Sequence, residues 1–399
     1  MNTIDWRELY ASNQAAIARA SGAPGATAPP ALPGALRLPA APPALPAALR
    51  LPTPPPAGLP AALRMPTAPP AGLPAALRLP TAPAGLPGAL RLPAALRRAP
   101  RHAAPQHGGA LVHLPAGVDR DTAIPLVCML HGCTQNPESF AAATQMNAAA
   151  DRHGFAVVYP RQPPGGNPQR CWNWFLPEHQ ERGRGEAGAI AAEVQRIAAG
   201  GAGQKVDAGR VFVAGLSSGG AMAAILAFTH SDLFAAVAVH SGVALGSAES
   251  MPAAFAVMAG GAQDPTMLGP SAHAAMGERA RRVPGMVVHG DADPTVAPVN
   301  GDQVLGQLMH ANRLAAPDAP AYDPDQPSEV VRGGVDGGRA YTRARWTGAN
   351  GAVVHERLTV HGMGHAWSGG LPGGSYTDPQ GPDATEAIRR FFAEAVPGD

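Results

Sequence analysis

The sequence predicts an α/β protein, with a mostly parallel central sheet covered by helices on both faces, behind a disordered proline- and alanine-rich N-terminal region. Three observations carry this. Short, nearly continuous apolar runs alternate with helical patterns from about residue 107 onward, which is how βαβ units around a doubly covered parallel sheet read. One of those runs passes straight into a glycine-serine turn and then a helix. The first hundred residues, by contrast, are dense in proline and almost without aromatics.

The elements follow in chain order. Residues 1–21 contain a short predicted helix, with Thr3 as N-cap, Asp5 and Glu8 in the first turns, and Ile4, Leu9 and Ile17 giving a weak apolar stripe. Residues 22–105 form a low-complexity linker. In it a Leu-Pro-Ala-Ala-Leu-Arg-Leu-Pro-Thr-Ala-Pro unit recurs, and arginines fall at 37, 50, 64, 78 and 91. Proline every few residues forbids continuous helix or a central strand, so this segment is expected to be extended and disordered, with polyproline-II character. A merely solvated spacer is the favoured reading, and the Leu-Arg-Leu triplets leave adsorption to a hydrophobic polymer surface open.

Residues 106–399 are then expected to form the catalytic domain. Strands are predicted at 126–130, 155–159, 211–214, 236–239, 286–288 and 358–360, and helices at 138–152, 186–199, 218–229, 298–311 and 383–395. Catalytic groups of such a sheet belong in the loops beyond the carboxyl ends of its strands.

Charge and targeting signals narrow the function classes. The first hundred residues hold nine arginines against two acids, so the remainder is net acidic within a chain of formal charge +1. A near-neutral, slightly acidic catalytic region gives no reason to expect nucleic-acid binding. No 18-residue apolar run suggests a transmembrane segment, and the N-terminus lacks the pattern of a signal peptide. Three cysteines are too few for a disulfide scaffold, and no spacing suggests a metal site. Cys128 reads as a buried thiol, while Cys133 and Cys171 fall beside expected active-site segments and either remain free or form one bridge.

The chemistry is concentrated in four segments. Gly215-Leu216-Ser217-Ser218-Gly219 sits between an apolar strand and a helix, the context that turns a weak motif into a nucleophile elbow with Ser217 exposed at its apex. A glycine-rich phosphate loop is the rival; it needs a Lys-Ser/Thr pair or a Gly-x-Gly-x-x-Gly placed early in the fold, and neither is present. Acyl transfer needs donors for an oxyanion: the backbone N–H of Ser218 is one expectation, and that of Cys133, after the turn at Gly132, is the other. Residues 289–296 offer Asp291 and Asp293, of which Asp293 is favoured because Asp291 comes directly off the strand and is expected to bond the turn itself. His365, in the loop after the last strand, is the expected base, and His361 a structural residue at the strand end. Ser217, Asp293 and His365 occur in the order this fold requires, 76 and 72 residues apart. Trp172 and Trp174 flank Asn173 in an aromatic cluster that reads either as a substrate wall or as core packing.

These motifs together resemble the catalytic domain of poly(3-hydroxybutyrate) depolymerases and the related feruloyl and acetylxylan esterases, which are α/β-hydrolases. The resemblance covers roughly residues 106–396. It rests on HGCTQ at 131–135, CWNWF at 171–175, GLSSGG at 215–220, HGDADPTV at 289–296, GMGHAWSGG at 362–370 and GSYTDPQGPDAT at 374–385. It implies a triad of Ser217, Asp293 and His365, an oxyanion hole from Cys133 and Ser218, and a substrate groove lined by Trp172, Trp174 and Trp367. A Cys133–Cys171 bridge fits the family's cysteine positions, and no cofactor or metal is implied. The expected substrate is a short-chain hydroxyalkanoate polyester or oligomer, with feruloyl or acetylxylan esters as the alternative and a non-catalytic surface-binding protein as a third reading. The family implies an extracellular protein, whereas the missing signal pattern leaves a cytoplasmic one open. The chain stops after its final helix, so no C-terminal polymer-binding domain is expected.

Overall fold

The computed structural model describes residues 109–396. The expected N-terminal helix and the repeat linker lie outside them. Nine strands make one sheet: β1 (Leu111–His113), β2 (Ile124–Leu130), β3 (Ala156–Tyr159), β4 (Val206–Leu216), β5 (Ala236–His240), β6 (Gly285–Gly290), β7 (Glu329–Gly334), β8 (Ala340–Thr347) and β9 (Val353–Val360). Their order is β1-β3-β2-β4-β5-β6-β9-β8-β7. The six inner strands from β3 to β9 run parallel, and β1, β8 and β7 add antiparallel edges.

Side-chain alternation splits the core into two layers. Along β2, Ile124, Leu126, Cys128 and Leu130 pack on one face, and Val127 and Met129 on the other. Val211 and Val213 of β4 continue the first layer; Phe212, Ala214 and Leu216 continue the second. Both sets are buried, which is why these strands read as continuous apolar runs rather than as alternations.

Helices α1 (Pro137–Thr144) and α2 (Met146–His153) occupy the stretch in which the sequence predicts one helix over 138–152. Asn136 caps the first by accepting from the Ser139 N–H at 2.8 Å, and the Ser139 hydroxyl accepts from the Asn136 N–H at 3.1 Å. The helix breaks at Gln145, whose φ is 56°. The carbonyls that continuation would have bonded are taken from outside: Leu371 N–H donates to Ala143 O at 2.9 Å and the Thr385 hydroxyl to Thr144 O at 2.6 Å.

Five more helices complete the layers: α3 (Gly185–Arg196), α4 (Ser218–Thr229), α5 (Met251–Gly260), α6 (Leu268–Met276) and α7 (Val299–Ala315). A last helix, α8 (Ala384–Ala395), is capped by the Asp383 side chain. α3 ends three residues short of expectation, passing into a wider π-type turn at Ile197–Gly201. α4 is buried along its whole length, as a helix directly behind an elbow must be. Met222, Ile225, Leu226 and Phe228 each contribute roughly 1.5–3 kcal/mol by leaving water. α8 closes the second layer, with Phe392 stacked on Phe212 at 4.6 Å between ring centres.

Candidate active site

The turn between β4 and α4 places Ser217 at φ 58° and ψ −121°, a strained conformation for a residue with a side chain. The Ser217 N–H donates to His240 O at 2.9 Å, which ties the apex to the end of β5. The flanking glycines are required by contact, not by dihedral. A Cβ on Gly215 would lie 2.3 Å from Gly219 O, and one on Gly219 would lie 2.1 Å from Leu130 O. Strand and helix can therefore approach closely enough to force the serine outward only if both positions lack a side chain.

The loop after β2 packs against this elbow. A Cβ on Gly132 would crowd Gln135 Oε1 at 3.2 Å and lie in ordinary contact with Ser217 Cβ at 3.5 Å; the left-handed residue of the turn is Thr134, at φ 64°. Gln135, which the sequence reading quotes without a role, is the loop's anchor. Its buried amide accepts the Gly132 N–H at 2.9 Å and donates to Ser375 O at 2.8 Å. Cys133 and Cys171 form a disulfide across 38 residues, joining this loop to the aromatic one. Ser218 opens α4, where backbone N–H groups have no carbonyl within the helix to bond, and its hydroxyl lies 3.5 Å from Cys133 Sγ.

The loop after β6 carries both aspartates. Asp293 is buried; its Oδ2 accepts from His365 Nδ1 at 2.7 Å, and its Oδ1 accepts the N–H groups of Thr295 and Val296, each at 2.9 Å. His289 Nε2 stands 3.5 Å from the same carboxylate. Burial works to raise the Asp293 pKa, but the hydrogen bonds from His289 and His365 outweigh it and hold the carboxyl well below the usual range. Asp291 does not bond its own turn. It reaches across to the next loop, accepting the Gly362 N–H and His361 Nδ1, the latter at 2.8 Å. His361 and Asp291 are both well exposed, and His361 Nε2 lies 2.9 Å from the Thr342 hydroxyl.

A cavity of about 410 Å³ opens over these groups. Ser217, His365, Gly132, Cys133 and Trp174 line it, as does one face of α5 through Met251, Ala254, Phe255 and Met258. That helix escaped the sequence reading, yet its lining residues fall at i, i+3, i+4 and i+7, the spacing of one helical face.

Two of the three expected groove tryptophans are elsewhere. Trp172 is fully buried, its indole N–H donating to His131 O at 3.0 Å, and does not line the cavity. Trp367 is also buried; its N–H donates to the Thr385 hydroxyl at 3.1 Å and its ring stacks on His240 at 4.9 Å. Both indoles have spent their polar handle inside, so they support the loops and do not face substrate. His240 is held neutral by burial, its pKa pushed down to about 3, and its Nε2 accepts the Ser368 N–H at 3.1 Å. One residue thus braces the serine turn through its carbonyl and the histidine loop through its ring.

Behind the aromatic loop, buried Glu186 accepts from Gln162 Nε2 and Asn173 Nδ2 (both 2.6 Å) and from the Asn173 N–H (2.7 Å). Gln162 also donates to Cys171 O at 2.7 Å. Nothing in the sequence marked this network, because its members are 24 residues apart and look like ordinary loop and helix residues.

A mostly parallel sheet, a serine at a strained strand-to-helix turn and an Asp-His pair on the following loops define an α/β-hydrolase. Within that class, the chain belongs to the esterase PHB depolymerase family, which matches residues 109–321. Among curated relatives, poly(3-hydroxyalkanoate) depolymerase C of Paucimonas lemoignei is 34% identical over 63% of this chain and 57% of its own length. Poly(3-hydroxybutyrate) depolymerase of Ralstonia pickettii is 26% identical over 62% of this chain and 49% of its own. The chain thus spans about half the length of these relatives. Feruloyl esterase B of Neurospora crassa is 36% identical over 30% of this chain and 39% of its own. The acetyl xylan esterase of Aspergillus awamori shares the fold, with a TM-score of 0.55 at 22% identity, over 73% of this chain and 96% of that one.

Proposed function

We propose that the chain is a serine esterase that cleaves short-chain hydroxyalkanoate polyesters or oligomers through Ser217, His365 and Asp293. The observation that carries the reading is the 2.7 Å contact between His365 Nδ1 and Asp293 Oδ2, on a cavity that Ser217 also lines. Asp293 fixes the imidazole tautomer that leaves Nε2 free to take the Ser217 proton. Ser217 Oγ then attacks the ester carbonyl, and the N–H groups of Cys133 and Ser218 receive the developing oxyanion. The protonated His365 returns its proton to the departing alkoxide. Water, activated by the same imidazole, hydrolyses the acyl-enzyme.

The depolymerase relatives, which align over more of the chain than the feruloyl and acetylxylan esterases, support the polyester substrate. The latter support polysaccharide esters as a second reading, because their 36% and 32% identity over shorter segments is comparable with the 34% and 26% of the depolymerases. Hydrolysis of 3-hydroxybutyrate oligomers and of a feruloyl ester, measured side by side with Ser217→Ala as control, separates them. Preferential oligomer cleavage is expected; turnover of the feruloyl ester alone moves the substrate to polysaccharide esters.

A further inference from the structure

We propose that Tyr376 selects the alcohol side of the ester. The inference rests on the serine-esterase reading above and extends it to the half of the substrate that leaves first. In acylation the bond from Ser217 Oγ to the acyl carbon forms while the bond from that carbon to the alkoxy oxygen breaks. The proton His365 took from Ser217 passes to the alkoxy oxygen, and the group departs as a free alcohol. The alcohol must therefore lie within proton-transfer reach of His365, and a group that flanks His365 in the cavity is placed to contact it.

Tyr376 is that flanking group. It lines the cavity with Ser217 and His365, and its ring meets the His365 ring edge-on, 78° between planes and 6.3 Å between centres. It is 38% exposed, a large apolar surface left open at the mouth rather than packed away. Its backbone is also strained, with φ at 52°, a conformation that residues with a side chain rarely adopt.

Neighbouring groups enforce that conformation. Two short strands, β10 (Trp367–Ser368) and β11 (Thr377–Asp378), pair here, and Trp367 N–H donates to Tyr376 O at 2.7 Å. Gln135 Nε2 holds Ser375 O at 2.8 Å, and the Thr377 hydroxyl donates to Gly374 O at 3.0 Å. Because Gln135 also holds the Gly132 N–H, the tyrosine is fixed relative to the expected oxyanion loop as well as to the histidine. A glycine would meet this backbone geometry without strain, so the ring is what the loop retains the cost for.

Esters of one acid with different alcohols pass through the same acyl-enzyme, so a difference between them reports acylation alone. The experiment compares kcat/KM for the methyl and benzyl esters of 3-hydroxybutyrate, using the full chain and Tyr376→Gly, Tyr376→Asn and Tyr376→Phe. Glycine and asparagine both accept the left-handed backbone, so loss of folding does not obscure the result. The benzyl-to-methyl ratio is expected to fall about tenfold in the glycine and asparagine variants, the worth of one aromatic contact, and to stay near wild type with phenylalanine. Equal losses on both esters, leaving the ratio within about twofold of wild type, overturn the assignment and reduce Tyr376 to a shield over His365. That outcome leaves the serine mechanism standing; activity of Ser217→Ala equal to wild type removes both.

Discussion

At the scale of single residues, the account turns on two aspartates two positions apart with different partners. Asp293 is buried against His365 and His289, and Asp291 is exposed and bonded to the 361–362 turn. Asp293→Asn is expected to lower kcat by a factor of order 10⁴, because an amide at that site favours the wrong imidazole tautomer. Asp291→Asn is expected to stay within about tenfold of wild type, having cost one surface hydrogen bond. Steady-state kinetics on a soluble ester checks both, and similar losses in the two variants contradict the division of roles. Asp293 was legible as the candidate acid only on the expectation that Asp291, directly off the strand, bonds its own turn. What Asp291 bonds was not, since its partners sit 70 and 71 positions away. Trp172 and Trp367 failed for the opposite reason, while Trp174 lines the cavity: aromatics near a site serve core and groove equally well.

Among the elements, strands of the parallel sheet were the most legible, because burial on both faces leaves an uninterrupted apolar run. β7 and β8 went unread. β8, Ala-Tyr-Thr-Arg-Ala-Arg-Trp-Thr, carries arginines in the half-exposed antiparallel part of the sheet, where ion pairs such as Arg345–Glu356 replace apolar packing. α5 and α6 were missed because their alanine-rich sequences show little contrast between faces. The break at Gln145 depends on hydrogen bonds from residues 371 and 385, which no local pattern contains.

Loop elements around the cavity are joined chiefly by the Cys133–Cys171 disulfide, and closing a 38-residue loop restricts the unfolded chain by about 4 kcal/mol. Cys171→Ser is expected to lower Tm by several degrees. It should also reduce kcat more than it raises KM, since the freed loop carries the Cys133 N–H. Thermal denaturation together with kinetics measures this; an unchanged kcat means the bridge only stabilises.

For the whole molecule, four buried histidines set the acid limit of stability. Burial lowers the pKa of His131 and His230 to about 4, and that of His240 and His355 to about 3. An unfolded histidine titrates near 6.5, so between that pH and the lowered values the unfolded chain binds protons that the folded chain refuses. The stability these residues allow is complete above about pH 6.5 and is lost as pH falls, by about 1.4 kcal/mol per pH unit for each. Asp293 adds to the loss only below about pH 4, where the unfolded carboxyl begins to protonate first. Tm is therefore expected to fall steeply between pH 6 and 4, and His355→Asn to flatten the slope. A Tm constant over that range contradicts the neutral state of these side chains.

The central claim is that Ser217 is made nucleophilic by the Asp293–His365 pair. It is tested most directly by treating the protein with a serine-directed fluorophosphonate and locating the adduct by mass spectrometry of the digest. The account predicts one adduct on Ser217, slowed by orders of magnitude in His365→Ala and absent from Ser217→Ala. A protein that stays unlabelled while folded, or an adduct on another serine that survives Ser217→Ala, contradicts it.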